Sequence, residues 1–177
     1  YSIFSRTARE VLNRYGEGLL GKSDGKGNRI FRTAIASYLA RYRGMHVNAD
    51  NIVIGAGSEY LYSLVVSLLG RYRTYGIADP SYSAIAKTYQ SQDVIMDRLP
   101  LCTNGIETDA LNRTKASVLH VTPYRSYPSN NSTTHEKRKE YIQWVNKKDR
   151  WIVEDDYESE FTPAIVFSET LYEMDSE

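Results

Sequence analysis

Apolar residues along this 177-residue chain recur in two alternating rhythms. From Ile30 to Tyr42 they fall at Ile30, Ala34, Ile35, Tyr38, Leu39 and Tyr42, the spacing of one helix face, and Gly44 stops the pattern. Asn51-Ile52-Val53-Ile54 is a short run read as a strand. Gly55-Ala56-Gly57-Ser58 is a turn, and Glu59 to Leu69 is a strongly apolar helix closed by Gly70. A strand over Thr74 to Ala78 ends at Asp79-Pro80. A helix from Tyr82 to Gln90 and a strand from Asp93 to Met96 follow. After a loop with Thr103-Asn104-Gly105 come a short helix from Thr108 to Asn112 and a strand from Ser117 to Val121. An amphipathic helix from Thr134 to Lys147 leads to a last strand from Trp151 to Glu154. Strands alternating with helices predict an α/β fold: a three-layer sandwich around a mostly parallel sheet.

Composition narrows the reading by exclusion. Lys+Arg and Asp+Glu balance at 22 each, so net charge gives this chain no electrostatic case for nucleic acid. No stretch reaches the roughly eighteen apolar residues of a membrane span, and no secretory signal opens the chain. Cys102 is the single cysteine, which excludes an internal disulfide and fits a reducing, cytoplasmic setting. His46, His120 and His135 lie too far apart for a metal-ligand motif, so no metal site is expected.

The candidate chemistry collects just past strand ends, where open α/β sheets bind ligands. Trp151-Ile152-Val153 runs into Glu154-Asp155-Asp156-Tyr157-Glu158-Ser159-Glu160-Phe161. Acidic groups at the end of a buried strand are costly unless something cationic meets them. Asp155 and Tyr157 therefore suit a protonated, hydrogen-bonding ring. An acidic loop capping the next helix explains the same residues. Ile52 to Leu61 reads as strand, glycine turn and helix, and Gly57 lets the backbone approach a ligand. The Ser58 and Glu59 amides at that helix start could donate to an anion. The pattern is neither a P-loop nor a dinucleotide fingerprint, and a plain turn capped by Ser58 explains it equally. Tyr82, after Asp79-Pro80-Ser81, could stack on a flat ligand or pack at a helix start. Arg125, in Thr122-Pro123-Tyr124-Arg125-Ser126-Tyr127-Pro128-Ser129-Asn130, could meet an anion or remain solvated.

The order of these segments resembles the large domain of fold type I pyridoxal-phosphate enzymes, the aspartate aminotransferase superfamily. It is most similar to the aminotransferase-like domain of MocR-type regulators of the GntR family. Arg32 to Leu39 with Arg43-Gly44, Asp50 to Gly57, Asp79 to Tyr82, His120 to Pro123 and Glu154 to Phe161 carry the resemblance over nearly the whole chain. The acidic segment with its tyrosine is closer to the regulators than to free-standing aminotransferases.

The resemblance implies the cofactor pyridoxal 5′-phosphate and a role for each site residue. Asp155 would keep the pyridine nitrogen protonated and Tyr157 would bond the ring's phenolic oxygen. Tyr82 would stack on the ring, and Ser58 and Glu59 would hold the phosphate through N–H groups. Two departures stand out. The loop at 124–130 lacks the histidine and glycine usual in the family. The Schiff-base lysine has no counterpart, so no catalytic residue is assigned, and Lys147 and Lys148 precede the acidic motif. The chain is thus expected to be a partial large domain, 1–177, without the winged-helix and small domains. The family's two strands after the acidic motif would separate Asn51–Ile54 from Ser117–Val121, so an open sheet edge is expected there. The implied whole is a cytoplasmic, dimeric regulator that senses a small amino compound and touches DNA through a further domain. A true aminotransferase acting on an amino acid, or a cofactor-free assembly domain, is the alternative.

Overall fold

The structure, a computed structural model, describes residues 1–147, 149–157, 159 and 169–175. Lys148, and Glu158, Glu160 and Phe161 of the acidic motif, lie outside the described residues. The chain divides into two compact units, Tyr1–Gly55 and Ala56–Glu177.

The first unit holds two helices, α1 (Ser2–Tyr15) and α2 (Arg29–Arg43). The Asn28 side chain caps α2 by accepting from the Ile30 and Phe31 N–H groups. Gly44 ends it in the left-handed conformation, at φ 72°. Arg32 is 3% exposed. Its guanidinium donates to the Gly27 and Ala49 carbonyls and to the Asp24 and Asp50 carboxylates. The strand predicted at Asn51–Ile54 does not form. Asn51 closes a short 3-10 turn, Ala49–Asn51, and the Ile54 N–H bonds the Lys26 carbonyl at 3.0 Å. Extended backbone becomes a strand only with a ladder partner, and the described residues supply none here.

The second unit is the predicted three-layer sandwich. Its elements in order are α3 (Ser58–Leu69), β1 (Thr74–Asp79), α4 (Ser83–Ser91), β2 (Ile95–Cys102), β3 (Gly105–Ile106), α5 (Thr108–Arg113), β4 (Val118–Val121), α6 (His135–Val145), β5 (Trp151–Glu154) and α7 (Leu171–Met174). The sheet order is β3-β2-β1-β4-β5. All pairings are parallel except the β2–β3 hairpin. Alternation along the strands splits the core in two. Tyr75, Ile77, Val118 and Val153 pack with α3 and α4 through Tyr62, Val66, Ile85 and Tyr89. Ala78, Leu119, Val121 and Ile152 pack on the other face with Leu111, Tyr141, Trp144 and Leu171 of α5, α6 and α7.

Two features of this topology position the site. The chain steps from β1 outward to β2, then returns to place β4 on the other side of β1. The order reverses between β1 and β4, and a crevice opens at their carboxyl ends. The open edge falls on β5, one strand beyond the Ser117–Val121 strand expected to border it; among the described residues β5 pairs only with β4.

Candidate functional site

Three strand ends and one helix start meet at the crevice. α3 begins after Gly57, whose φ of 99° is a left-sided conformation that glycine adopts without penalty. No side chain caps the helix, and Leu61 N–H makes a bond to the Gly57 carbonyl at 3.3 Å. The first-turn N–H groups of Ser58 and Glu59 therefore carry the helix's unpaired donors and its positive end. A Cβ at Gly57 would meet none of the described residues within 4 Å, so none of them fills the space beside it.

Asp155 follows β5 directly, and its N–H extends the ladder to the Val121 carbonyl at 2.8 Å. The pleat sends successive side chains to opposite faces. Glu154 points toward α7, where its carboxylate accepts the Leu171 and Tyr172 N–H groups. Asp155 points the other way, toward α3. Its Oδ2 accepts from the Tyr62 hydroxyl at 2.6 Å and lies 3.6 Å from His120 Nε2. The longer contact is electrostatic and is not a hydrogen bond. Burial would push the Asp155 carboxyl up, but His120 and Tyr62 outweigh it and hold the group below its ordinary range. Tyr62 is pushed up in turn, by burial first and by the adjacent carboxylate second.

Behind Asp155 the polar chain continues into the core. His120 is 2% exposed, and its Nδ1 meets the Tyr89 hydroxyl at 2.6 Å. Burial raises the proton affinity of Tyr89. The direction of this bond follows the tautomer of the ring: a ring protonated on Nε2, which faces the carboxylate, accepts from Tyr89 at Nδ1. Nε2 has no hydrogen-bond partner among the described residues. The Tyr62 and His120 rings meet edge-on at 4.9 Å.

A cavity of about 330 Å³ opens over these groups. Ser58, Tyr62, Tyr82, Thr122, Arg125, Tyr127, Asp155 and Tyr157 line it. Such a volume and such a mixed lining suit a small ligand. The structure thus brings together Ser58, Tyr82, Asp155 and Tyr157 of the sequence-predicted residues. Glu59 stays exposed on the first turn of α3, outside the lining. Tyr82 and Tyr127 meet edge to face at 6.1 Å. Sequence reading missed Tyr62 and the part played by His120. The sequence marks α3 only as strongly apolar, and a core tyrosine there looks the same as one that holds a carboxylate.

The donor set answers what could sit here. A carboxylate held ionised attracts a cationic ring nitrogen, aromatic faces take a flat ring, and a helix N-terminus takes a phosphate. Pyridoxal phosphate carries all three features. No family model matches the chain. It is 26% identical to the uncharacterized HTH-type transcriptional regulator YdeL of Bacillus subtilis over 161 residues, 91% of this chain and 35% of that protein. It is 24% identical to the probable rhizopine catabolism regulatory protein MocR of Rhizobium meliloti over 162 residues, 91% of this chain and 33% of that protein. The chain so spans about a third of the length of these curated relatives. LysN, an α-aminoadipate aminotransferase from Thermus thermophilus solved with N-(5′-phosphopyridoxyl)-L-leucine, superposes with a TM-score of 0.81 at 24% identity, over 96% of this chain and 43% of that one. The chain has the fold of a fold type I pyridoxal-phosphate enzyme. It covers part of that fold's large domain, and the sequence relatives it matches are named as transcriptional regulators, MocR among them.

Proposed function

We propose that the cavity binds pyridoxal 5′-phosphate, and that the whole protein is a GntR/MocR-type transcriptional regulator that senses a small amino compound there. The observation that carries this reading is Asp155, held ionised by Tyr62 and His120 at the wall of an aromatic cavity whose lining includes the first residue of α3. Asp155 would face the ring nitrogen and Tyr157 the phenolic oxygen. Tyr82 would cover the ring, and the Ser58 and Glu59 N–H groups would take the phosphate. When bound, the cofactor supplies an aldehyde that reacts with amines, beside a ring that draws electrons. The relatives are named as HTH-type regulators, which supports DNA contact through a winged-helix domain beyond this chain and a homodimeric assembly. A second reading, a true aminotransferase for an amino acid, rests on the likeness to LysN.

Titration of the whole protein with pyridoxal phosphate tests the cavity. Asp155→Ala is expected to weaken binding about tenfold or more, the scale of one lost charge-assisted hydrogen bond of roughly 1.5–3 kcal/mol. Asp156→Ala, whose side chain leaves the strand in the other direction, should change it less than threefold, roughly 0.6 kcal/mol. Equal losses would overturn the assignment, and a parent protein that binds no pyridoxal phosphate would overturn the function.

A further inference from the structure

We propose that Tyr62 is the positioning residue of this site, dividing the two Asp155 oxygens between the protein and the ligand. The inference rests on the pyridoxal-phosphate reading and assigns Tyr62 a role within it. Among the described residues, the two contacts of the Asp155 carboxylate converge on one oxygen: the Tyr62 hydroxyl at 2.6 Å and His120 Nε2 at 3.6 Å reach Oδ2. Rotation about the side chain is thereby fixed, and Oδ1 is left for the cavity that Asp155 lines. Of the two contacts only Tyr62 is a hydrogen bond, so the hydroxyl does the orienting.

The placement of Tyr62 gives that bond a second meaning. It stands one helical turn after Ser58, on the same face of α3. Ser58 and Tyr62 both line the cavity, and the Tyr62 hydroxyl bonds Asp155. Tyr62 thus stands between the helix start proposed to hold phosphate and the carboxylate proposed to hold the ring nitrogen. The Tyr62 ring is 6% exposed and packed edge-on against His120, so the hydroxyl has little freedom to leave. A leucine or phenylalanine would fill the same core space. The hydroxyl is the part that packing does not require.

The test separates orientation from packing by using two ligands that differ at one ring atom. Pyridoxamine phosphate needs no lysine to bind, and its 1-deaza counterpart replaces the ring nitrogen with carbon. Dissociation constants of both are measured by calorimetry on the whole protein, for the parent, Tyr62→Phe, Asp155→Asn and the double variant. The parent should prefer pyridoxamine phosphate by about tenfold, the scale of one charge-assisted hydrogen bond. Tyr62→Phe should shrink that preference by about fivefold while leaving the deaza constant within about twofold, since packing is kept. In the Asp155→Asn background, Tyr62→Phe should change the preference no further, because both act through one carboxylate. If Tyr62→Phe weakens both ligands equally, or the parent's preference survives it, Tyr62 is a packing residue only and the inference falls. If Tyr62→Phe cannot be recovered folded, Tyr62→Leu serves with the same expected loss of preference. A parent that binds neither ligand overturns the cofactor reading itself, a result distinct from the loss of the Tyr62 role.

Discussion

Glu154 and Asp155 are chain neighbours with opposite acid–base behaviour. Burial raises the proton affinity of Glu154 beyond what the Leu171 and Tyr172 N–H groups can offset. Asp155 is buried too, yet His120 and Tyr62 bring it below the ordinary range. For Asp155 the folded value lies below the unfolded one, about 3.9. The stability it contributes is present above that pH and is lost as pH falls through the folded value. For Glu154 the folded value lies above the unfolded one, about 4.3. Its contribution is complete below that pH and fades as pH rises through the folded value. Denaturation midpoints over a pH series are expected to separate them. Asp155→Asn should flatten the acid limb below about pH 4, and Glu154→Gln should flatten the decline above about pH 4.5. A Glu154→Gln profile parallel to the parent through the second window would contradict the assignment. Asp155 was legible in the sequence, because a carboxylate ending an apolar run demands a partner. Its partners were not, since Tyr62 lies 93 residues away and no local pattern marks a hydroxyl for a distant acid.

Element by element, segments with a clear apolar signal were readable and those that depend on a partner were not. α2, α3, β1 and β5 fall within a residue or so of their predicted ends. β2 starts later than read, because Asp93 sits at φ 57° and the Val94 N–H still bonds Tyr89 at the end of α4, and it runs on past the predicted end at Met96 to Cys102. The two-residue β3 has no period to detect. The Asn51–Ile54 run looked like a strand because apolar content was visible and its neighbours were not. α3 shows what a terminus needs. Gly57→Ala would force an alanine to φ 99° with no contact to repay it. A loss of about 1 kcal/mol is expected, read as a lower urea midpoint with an unchanged slope. An unchanged midpoint would mean that the turn relaxes without cost.

At the scale of the whole molecule, the two faces of the sheet are covered while its β5 edge is bare among the described residues. Trp151, on that edge, is 49% exposed. In the first unit Ile3, Phe4 and Leu12 of α1 are exposed as well, at 70%, 74% and 59%. Unpaired strand groups flanked by apolar surface recruit other chains. The 177-residue chain is expected to self-associate as its concentration rises. Trp151→Lys should shift sedimentation toward monomer, since an edge lysine opposes pairing. A parent that sediments as monomer throughout, without binding a hydrophobic dye, would refute this.

The alternation at the end of β5 has a consequence for how this site can change. Glu154 secures α7 on one face and Asp155 serves the cavity on the other, so the two duties are assigned by parity. Substitutions at either position alter one duty at a time. A single residue inserted or deleted between Trp151 and Glu154 exchanges both at once, sending an acid of the wrong length to each face. A change of side chain along this strand therefore disturbs one face, whereas a change in its length disturbs both.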